Sequence, residues 1–263
     1  MSYGPRPWQQ TNWDWRAAGN FLLGGTGSGL LIAAALALPA PWLAMLAGLL
    51  LIAGGLAAVW LEIGRKLRAI HVFFNPQTSW MTRESLAALV LFGLGTAYLV
   101  VHAAWLQYAA ALAALAFLYC QARILRAARG IPAWRAPQLV ALIMTTALVE
   151  GTGLLMLMNA QVLVTSLFAL AVVARAVAWS RYWAALQQPG SRSALEFAGK
   201  ALIQIGTIAP LALVLGAVFL PQAAVLAGIA ALLAGWWLKF VLVTRAAFNQ
   251  GFALPQLPVR GTR

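Results

Sequence analysis

The chain has 263 residues, of which 63% are hydrophobic and only 9% are charged. Because a soluble domain of this length cannot bury so much apolar surface, the composition excludes that class and predicts a polytopic membrane protein. The formal net charge of +13 would suggest a nucleic-acid partner in a soluble chain. In a membrane protein, an excess of Lys and Arg marks cytoplasmic loops instead, so we expect no nucleic-acid partner.

Two residue types limit the cofactors. The single cysteine, Cys120, excludes a disulfide framework and an iron–sulfur cluster held by this chain alone, since a cluster needs about four thiolates. His71 and His102 are predicted to lie on opposite sides of the membrane, where they cannot sandwich a haem. We therefore expect no haem, metal or iron–sulfur cluster in this chain. The N-terminal segment lacks the pattern of a signal peptide, and we expect it to be retained.

Eight apolar runs are candidates to cross the hydrocarbon core as helices. They lie at about 15–38, 41–62, 86–104, 105–120, 139–158, 162–178, 201–220 and 223–243. The sequence thus predicts an all-α integral membrane protein with eight transmembrane helices in one domain. Residues 1–135 form its first half, and residues 136–263 form a second half that ends in a tail.

The connections between the runs alternate in character. Short uncharged loops lie at 39–41, 103–104, 159–161 and 221–222, and every Lys and Arg is assigned to the other, basic side. Since positively charged loops stay in the cytoplasm, this pattern predicts that both termini are cytoplasmic.

The first run carries polar residues ahead of a glycine cluster. Arg16 and Asn20 share one helical face. They either point into a cavity, or Arg16 extends to the membrane surface while Asn20 bonds to another helix. Gly25 and Gly29 are four residues apart, and with Gly48 on the second run they predict close packing of the first two helices. Nucleotide binding is disfavoured because no lysine follows the glycines.

The longest polar interval lies between the second and third runs, at residues 61–84. It begins with Glu62 beside several cations, and Asn75-Pro76 then breaks any helix. Ser79 or Thr82 can cap the third helix. Composition alone favours a basic loop that fixes topology.

The fourth run ends with Tyr119, Arg123 and Arg126 on one helical face. These residues are either an interfacial aromatic with two arginines that set topology, or a functional surface.

Glu150 is an acid well inside an apolar run. At 1.5 Å per residue it lies roughly 20 Å from the cytoplasmic boundary, where a carboxylate must be protonated, paired or next to water. We expect it to bond to Thr145, Thr146 or a neighbouring helix, and a proton-relay role is the alternative.

The other polar residues of the second half are assigned to helix ends and interruptions. Arg175 and Arg181 are predicted to close the sixth helix. Pro210 is predicted to kink the seventh helix or free a carbonyl. Lys239, beside Trp236, is predicted to anchor the last helix at the membrane interface.

Three segments carry a resemblance to a known family. They are the tryptophan-flanked first helix with Asn20, the Asn75-Pro76 turn followed by Ser-Trp-Met-Thr-Arg-Glu, and Tyr119 with the Gly-Ile-Pro-Ala-Trp exit of the fourth helix. On these segments the chain resembles the NrfD/DmsC/PsrC family of quinone-linked membrane anchors of molybdopterin oxidoreductases. The segment GPRPWQQTNWDWRAAGNF is similar to the branch that serves phenylacetyl-CoA:acceptor oxidoreductase.

The resemblance implies two four-helix bundles in a bacterial inner membrane, with membrane lipid around them and ubiquinone or menaquinone as the ligand. Its implied partners are a ferredoxin-like subunit with four iron–sulfur clusters and a molybdopterin catalytic subunit, both on the cytoplasmic side. The implied quinone pocket is lined by Trp15, Arg16, Asn20, Glu62, His71 and Tyr119. The implied docking surface comprises Arg65, Lys66, Arg68, Trp80, Arg83 and Arg126.

Two other functions remain open from the residues. A secondary transporter is motivated by Glu150, Arg175 and Pro210 in the middle of the chain, since transporter sites lie near the membrane midplane. The third possibility is a purely structural tether for other subunits.

The orientation is testable with reporter fusions. A reporter active only outside the cytoplasm should give signal after Ala160 or Gln222, because these short loops are predicted to be external, and none after Gly130. Reporter activity in whole cells is the measurement, and the reverse pattern would contradict the orientation.

Overall fold

The computed structural model describes residues 7–39, 41–64 and 66–251, without the side chains of residues 66–68. Eight of the described helices are long and apolar enough to cross a membrane, which confirms a multi-pass, all-helical membrane protein. They are α1 (Trp15–Ala37), α2 (Trp42–Glu62), α3 (Trp80–Val101), α4 (Ala104–Ala127), α5 (Gln138–Met158), α6 (Val162–Ala185), α7 (Pro189–Gly216) and α8 (Gln222–Thr244).

Several helices are longer than the apolar runs, because backbone hydrogen bonding continues where the side chains become polar. α3 begins at Trp80 rather than at 86, and Ser79 caps it by accepting a hydrogen bond from the Thr82 amide at 3.2 Å. This confirms the predicted cap. α4 and α6 extend past the predicted ends at 120 and 178, and α7 begins at Pro189 rather than at 201.

Two helices form the centre of the molecule. In α1 and α5, 78% and 67% of the membrane-spanning window is buried, more than in any other described span. α1 packs against α2, α4 and α5, whereas α5 packs against α1, α6 and α8. The contact between α1 and α5 therefore joins the first half of the chain to the second.

Glycines make this central contact possible. A Cβ atom on Gly151 of α5 would overlap the backbone of Gly29 in α1, so the two helices touch backbone to backbone. Close packing of α1 on α2 is confirmed as well, but Gly27 rather than Gly29 meets the Gly48 carbonyl there. The sequence could not tell which glycine faces which helix, because Gly27 and Gly29 differ by about 200° around the helix axis.

The segments that flank the first and last helices pair with each other. The Gln10 amide donates to the Ala247 carbonyl at 2.9 Å, and the Asn249 amide donates to the Trp8 carbonyl at 3.0 Å. Both segments thus lie at one end of the helices, together with the loop between α2 and α3. We call this the basic end. The predicted tail beyond Gly251 lies outside the described residues.

The central glycine contact predicts a position-specific stability loss. Gly151→Ala should lower the unfolding free energy by about 1–3 kcal/mol, because the new methyl group displaces the α1 backbone. Gly93→Ala on α3 is the matched control, since a Cβ there meets no atom within 4 Å. That variant should be neutral or slightly stabilising. Thermal unfolding in detergent measures both, and equal effects would contradict the packing.

Candidate functional site

A cavity of about 190 Å³ lies at the basic end between α1, α2, α3 and α4. One wall is aromatic, because the Trp13 ring packs at 4.9 Å from the Trp134 ring and at 6.1 Å from the Phe21 ring. The polar groups on its surface are an amide and two carboxyls. The lining residues are Trp13, Ala17, Asn20, Phe21, Val59, Glu62, Ile63, Met81, Glu84 and Ile124.

A larger and more open groove of about 540 Å³ adjoins this cavity. The two share Asn20 and Glu84 in their linings. From there the groove runs along α2 to the 3-10 segment Lys66–Phe73, where Ile70 and Phe73 border it. Its surface is almost entirely apolar, so a long apolar chain fits along it while a polar group occupies the cavity.

Asn20, Glu84 and Gln121 form a buried polar group at the base of the cavity. Asn20 Nδ2 donates to Glu84 Oε1 at 3.1 Å, and Gln121 Nε2 donates to the Asn20 carbonyl at 3.0 Å. Within the described part of the chain, Asn20 Oδ1 and Gln121 Oε1 have no hydrogen-bond partner. The group thus presents a carboxyl and unpaired acceptors on three different helices.

Glu84 and Gln121 are absent from the sequence-predicted site. Glu84 is 95% buried and lines the cavity. The available signal was its position one helical turn after the Ser79 cap, on the same face as the buried Ala88 and Leu91.

The six predicted quinone-site residues do not all come together. Asn20 and Glu62 line the cavity. Arg16 instead pairs with Asp14 at 2.8 Å and donates to the Leu61 carbonyl at 3.2 Å. The hydrogen bonds from Arg16 hold the pKa of Asp14 below its ordinary value. The ring of Trp15 is 62% exposed.

The other two lie away from the cavity. His71 is exposed in the 3-10 segment, with its ring edge on to Phe74 at 5.5 Å. Tyr119 faces outward on α4, where its hydroxyl accepts a hydrogen bond from Arg123 at 2.5 Å and its ring contacts the Trp80 ring. Tyr119 is not among the described residues that line the cavity or the groove.

Only part of the predicted docking surface lies within the described residues. The guanidinium groups of Arg83 and Arg123 lie 4.2 and 4.1 Å from the Trp80 ring centroid, in cation–π contact. Arg83 also donates to the carbonyls of Pro76 and Gln77, which orders the loop before α3. Arg126 is the next-to-last residue of α4 and is half-buried. The side chains of Arg65, Lys66 and Arg68 lie outside the described residues.

The middle of the second half contains a buried ion cluster that we define as Glu150, Arg175 and Lys239. All three side chains are fully buried. Lys239 Nζ lies 2.6 Å from Glu150 Oε2, and Thr26 Oγ1 lies 2.9 Å from the same oxygen. A Cβ on Gly235 would lie 2.7 Å from Glu150 Oε1 and 3.3 Å from an Arg175 nitrogen, so the glycine leaves space for both side chains. The cluster joins α1, α5, α6 and α8.

The cluster corrects two predictions. Lys239 is not an interfacial anchor, and Arg175 does not close α6, because the helix continues to Ala185. Both cations lie inside helices rather than in the basic loops. Glu150 does bond to a neighbouring helix, as expected, but its partner is a cation. The sequence did carry a signal for buried cations, since Arg175 has apolar residues on both sides and a counter-charge is one way to stabilise a buried carboxylate.

Both cations of the cluster also bind carbonyls in interrupted helices. α7 contains a π-helical segment, Gln204–Ile208, that ends two residues before Pro210. Proline has no N–H to donate to the carbonyl four residues earlier, which belongs to Gly206. That carbonyl accepts a hydrogen bond from Arg175 instead. The freed carbonyl predicted from Pro210 is thus confirmed.

No family model matches the chain, and no curated protein sequence matches it. Two chemical sites are therefore the basis for assigning a function. The first is a cavity with an amide and carboxyls, which can hydrogen-bond a polar ring and exchange protons with it. The second is the buried ion cluster between helices, which contains the Glu150–Lys239 ion pair.

The ion cluster predicts a large double-mutant coupling. Lys239→Met should lower the unfolding free energy by about 3–5 kcal/mol, because it leaves Glu150 buried without a cation. The pair Lys239→Met with Glu150→Gln should recover most of that loss. The exposed Glu196–Lys200 pair, at 2.8 Å, is the control, and Lys200→Met should leave the melting temperature unchanged. A similar loss from both lysine variants would refute a special role for the buried pair.

Proposed function

We propose that the chain is the quinone-binding membrane anchor of a molybdopterin/iron–sulfur oxidoreductase. It passes electrons between a partner iron–sulfur subunit and the membrane quinone pool. The observation that carries the proposal is the cavity at the basic end, where Asn20, Glu62 and Glu84 meet beside an apolar groove. The resemblance of the first helix and of the segment before α3 to known anchors supports the same conclusion.

The cavity suits a quinone head group. A quinone ring needs a hydrogen-bond donor for each carbonyl, and its two-electron reduction takes up two protons. Asn20 supplies amide hydrogens, and Glu84 and Glu62 are carboxyls that can deliver protons. The adjoining groove has the apolar surface that an isoprenoid tail requires. Ubiquinone and menaquinone share this chemistry.

The site's location supports the proposed assembly. Electron transfer requires a short distance between a quinone and a partner cluster, and the cavity lies at the end that carries the cationic surface around Trp80, Arg83 and Arg123. In this proposal the basic end faces the cytoplasm of a bacterial inner membrane, with both termini on that side and the helices in two four-helix bundles. An acidic iron–sulfur subunit docks there and carries the molybdopterin subunit. A cytoplasmic acyl-CoA such as phenylacetyl-CoA is then the substrate of the complex.

A secondary transporter is the second candidate, and the buried ion cluster favours it. Transporter sites are built from charged residues and interrupted helices in the middle of the membrane, and the cluster contacts two π-helical segments. Glu150 would be the proton-relay residue in that case. Against it, Lys239 is bonded to Glu150, and both Lys239 and Arg175 are bonded to backbone carbonyls. Uptake of a solute by proteoliposomes of the chain alone would favour transport over the redox anchor.

The quinone proposal predicts a selective kinetic defect. In the complex purified with its partners, Glu84→Gln should slow quinone reduction about a hundredfold, because it removes a proton donor while keeping the hydrogen bond to Asn20. Reduction of an artificial dye by the catalytic subunit should be unchanged, since the dye bypasses the quinone site. Steady-state rates with each acceptor make the measurement.

The variant Tyr119→Phe tests whether the quinone binds in the cavity or on the outer surface of α4. Because the Tyr119 hydroxyl lies outside the cavity lining, we expect quinone reduction within about twofold of the unmodified complex. A large loss with Tyr119→Phe and none with Glu84→Gln would place the quinone on the outer surface beside Trp80. Loss of dye reduction in either variant would indicate a structural defect.

A further inference from the structure

The first helix changes its hydrogen-bonding pattern at the cavity. Residues Asn20–Gly24 form a π-helical turn within α1. In a regular α-helix the Gly25 amide would bind the Phe21 carbonyl, but here it is bonded to the Leu22 carbonyl. The turn thus leaves the Phe21 carbonyl accessible to a donor outside the helix.

Lys239 is that donor. Its ammonium group donates to the Phe21 carbonyl at 2.6 Å and lies 3.5 Å from the Leu22 carbonyl. Gly25 makes the approach possible, because a Cβ at that position would lie 2.8 Å from Lys239 Nζ. Glu150 neutralises the ammonium group at the same time. Lys239 therefore binds the π-helical turn on the side of α1 that faces α5 and α8.

The other side of the same turn belongs to the cavity. Asn20 is its first residue and donates to Glu84 on α3, while Gln121 on α4 donates to the Asn20 carbonyl. Phe21 is its second residue and forms part of the cavity wall. One turn of helix thus connects the cavity residues to the ion cluster, and a shift of this turn moves Asn20.

We propose that Lys239 is a positioning residue for the cavity. By binding the Phe21 and Leu22 carbonyls, it holds the π-helical turn in the form that directs Asn20 Nδ2 at Glu84. Glu150 has the supporting role of keeping a charged ammonium group stable in the protein interior. The ligand concerned is the quinone, so this inference depends on the proposed function for its ligand but not for its geometry.

The test separates the hydrogen bond to the turn from the ion pair. The double variant Lys239→Met/Glu150→Gln lacks both the donor and the ion pair, whereas Glu150→Gln alone lacks only the ion pair. Two quantities are measured on the full chain. The first is amide hydrogen exchange of residues 15–27 relative to residues 162–185 of the same molecule, which cancels any global loss of stability. The second is the dissociation constant of a quinone analogue, followed by tryptophan fluorescence.

The double variant should show about tenfold faster relative exchange in residues 15–27 and about tenfold weaker binding of the analogue, as expected for loss of one charge-assisted hydrogen bond. Glu150→Gln alone keeps the Lys239 donor, since even a neutral amine donates to a carbonyl, so both of its effects should be clearly smaller than those of the double variant. Equal effects of the two variants would overturn the proposal in favour of the ion pair. Unchanged exchange in the double variant would overturn it as well.

Gly25→Ala provides a second route if the double variant does not fold. Its methyl group occupies the space of the Lys239 ammonium group with all charges retained, so it should reproduce the local exchange and binding defects. Normal values for Gly25→Ala would contradict the positioning role. If the unmodified chain binds no quinone analogue, the proposed function fails, and the exchange measurement still decides whether Lys239 holds the turn.

Discussion

The fold depends on the requirement that buried polar groups find their partners inside the protein, because hydrocarbon supplies none. Most polar atoms of Glu150, Arg175 and Lys239 meet this requirement together with two interrupted helices, whereas Glu150 Oε1 and Arg175 Nε have no hydrogen-bond partner among the described residues. Each helix interruption leaves a carbonyl accessible, and each buried cation binds one of them. The ionic contacts and the irregular backbone are thus one system.

This system also explains why the two halves of the chain behave as one unit. α1 belongs to the first half by sequence, yet its turn at Phe21 is bound by α8 and its glycine surface is in contact with α5. The cavity at the basic end is built on the opposite side of the same helix. α1 therefore connects the ion cluster to the cavity. Its small residues allow neighbouring helices to pack closely around it, and it is the most buried of the described spans.

Much of the fold could be predicted from the sequence, since it depends on local properties. The number of spans follows from hydropathy, the cap at Ser79 from a short-range hydrogen bond, and the accessible carbonyl at Gly206 from the missing N–H of Pro210. The site was harder to predict. The pairing of Lys239 with Glu150 and of Asn20 with Glu84 depends on which helix faces meet, and a single sequence carries no signal for the rotation of one helix against another.

The order of synthesis gives the ion pair a consequence for biogenesis. Glu150 and Lys239 are 89 residues apart, with α6 and α7 between them. The ribosome therefore delivers the carboxyl-bearing helix to the membrane well before the helix that holds its counter-ion. During this interval α5 has no ammonium group from α8, and the Phe21 carbonyl in α1 has no donor from that helix either. Insertion of α8 thus completes several unsatisfied contacts in a single late step, and a chain truncated before this helix would be an incomplete protein that quality-control proteases can recognise.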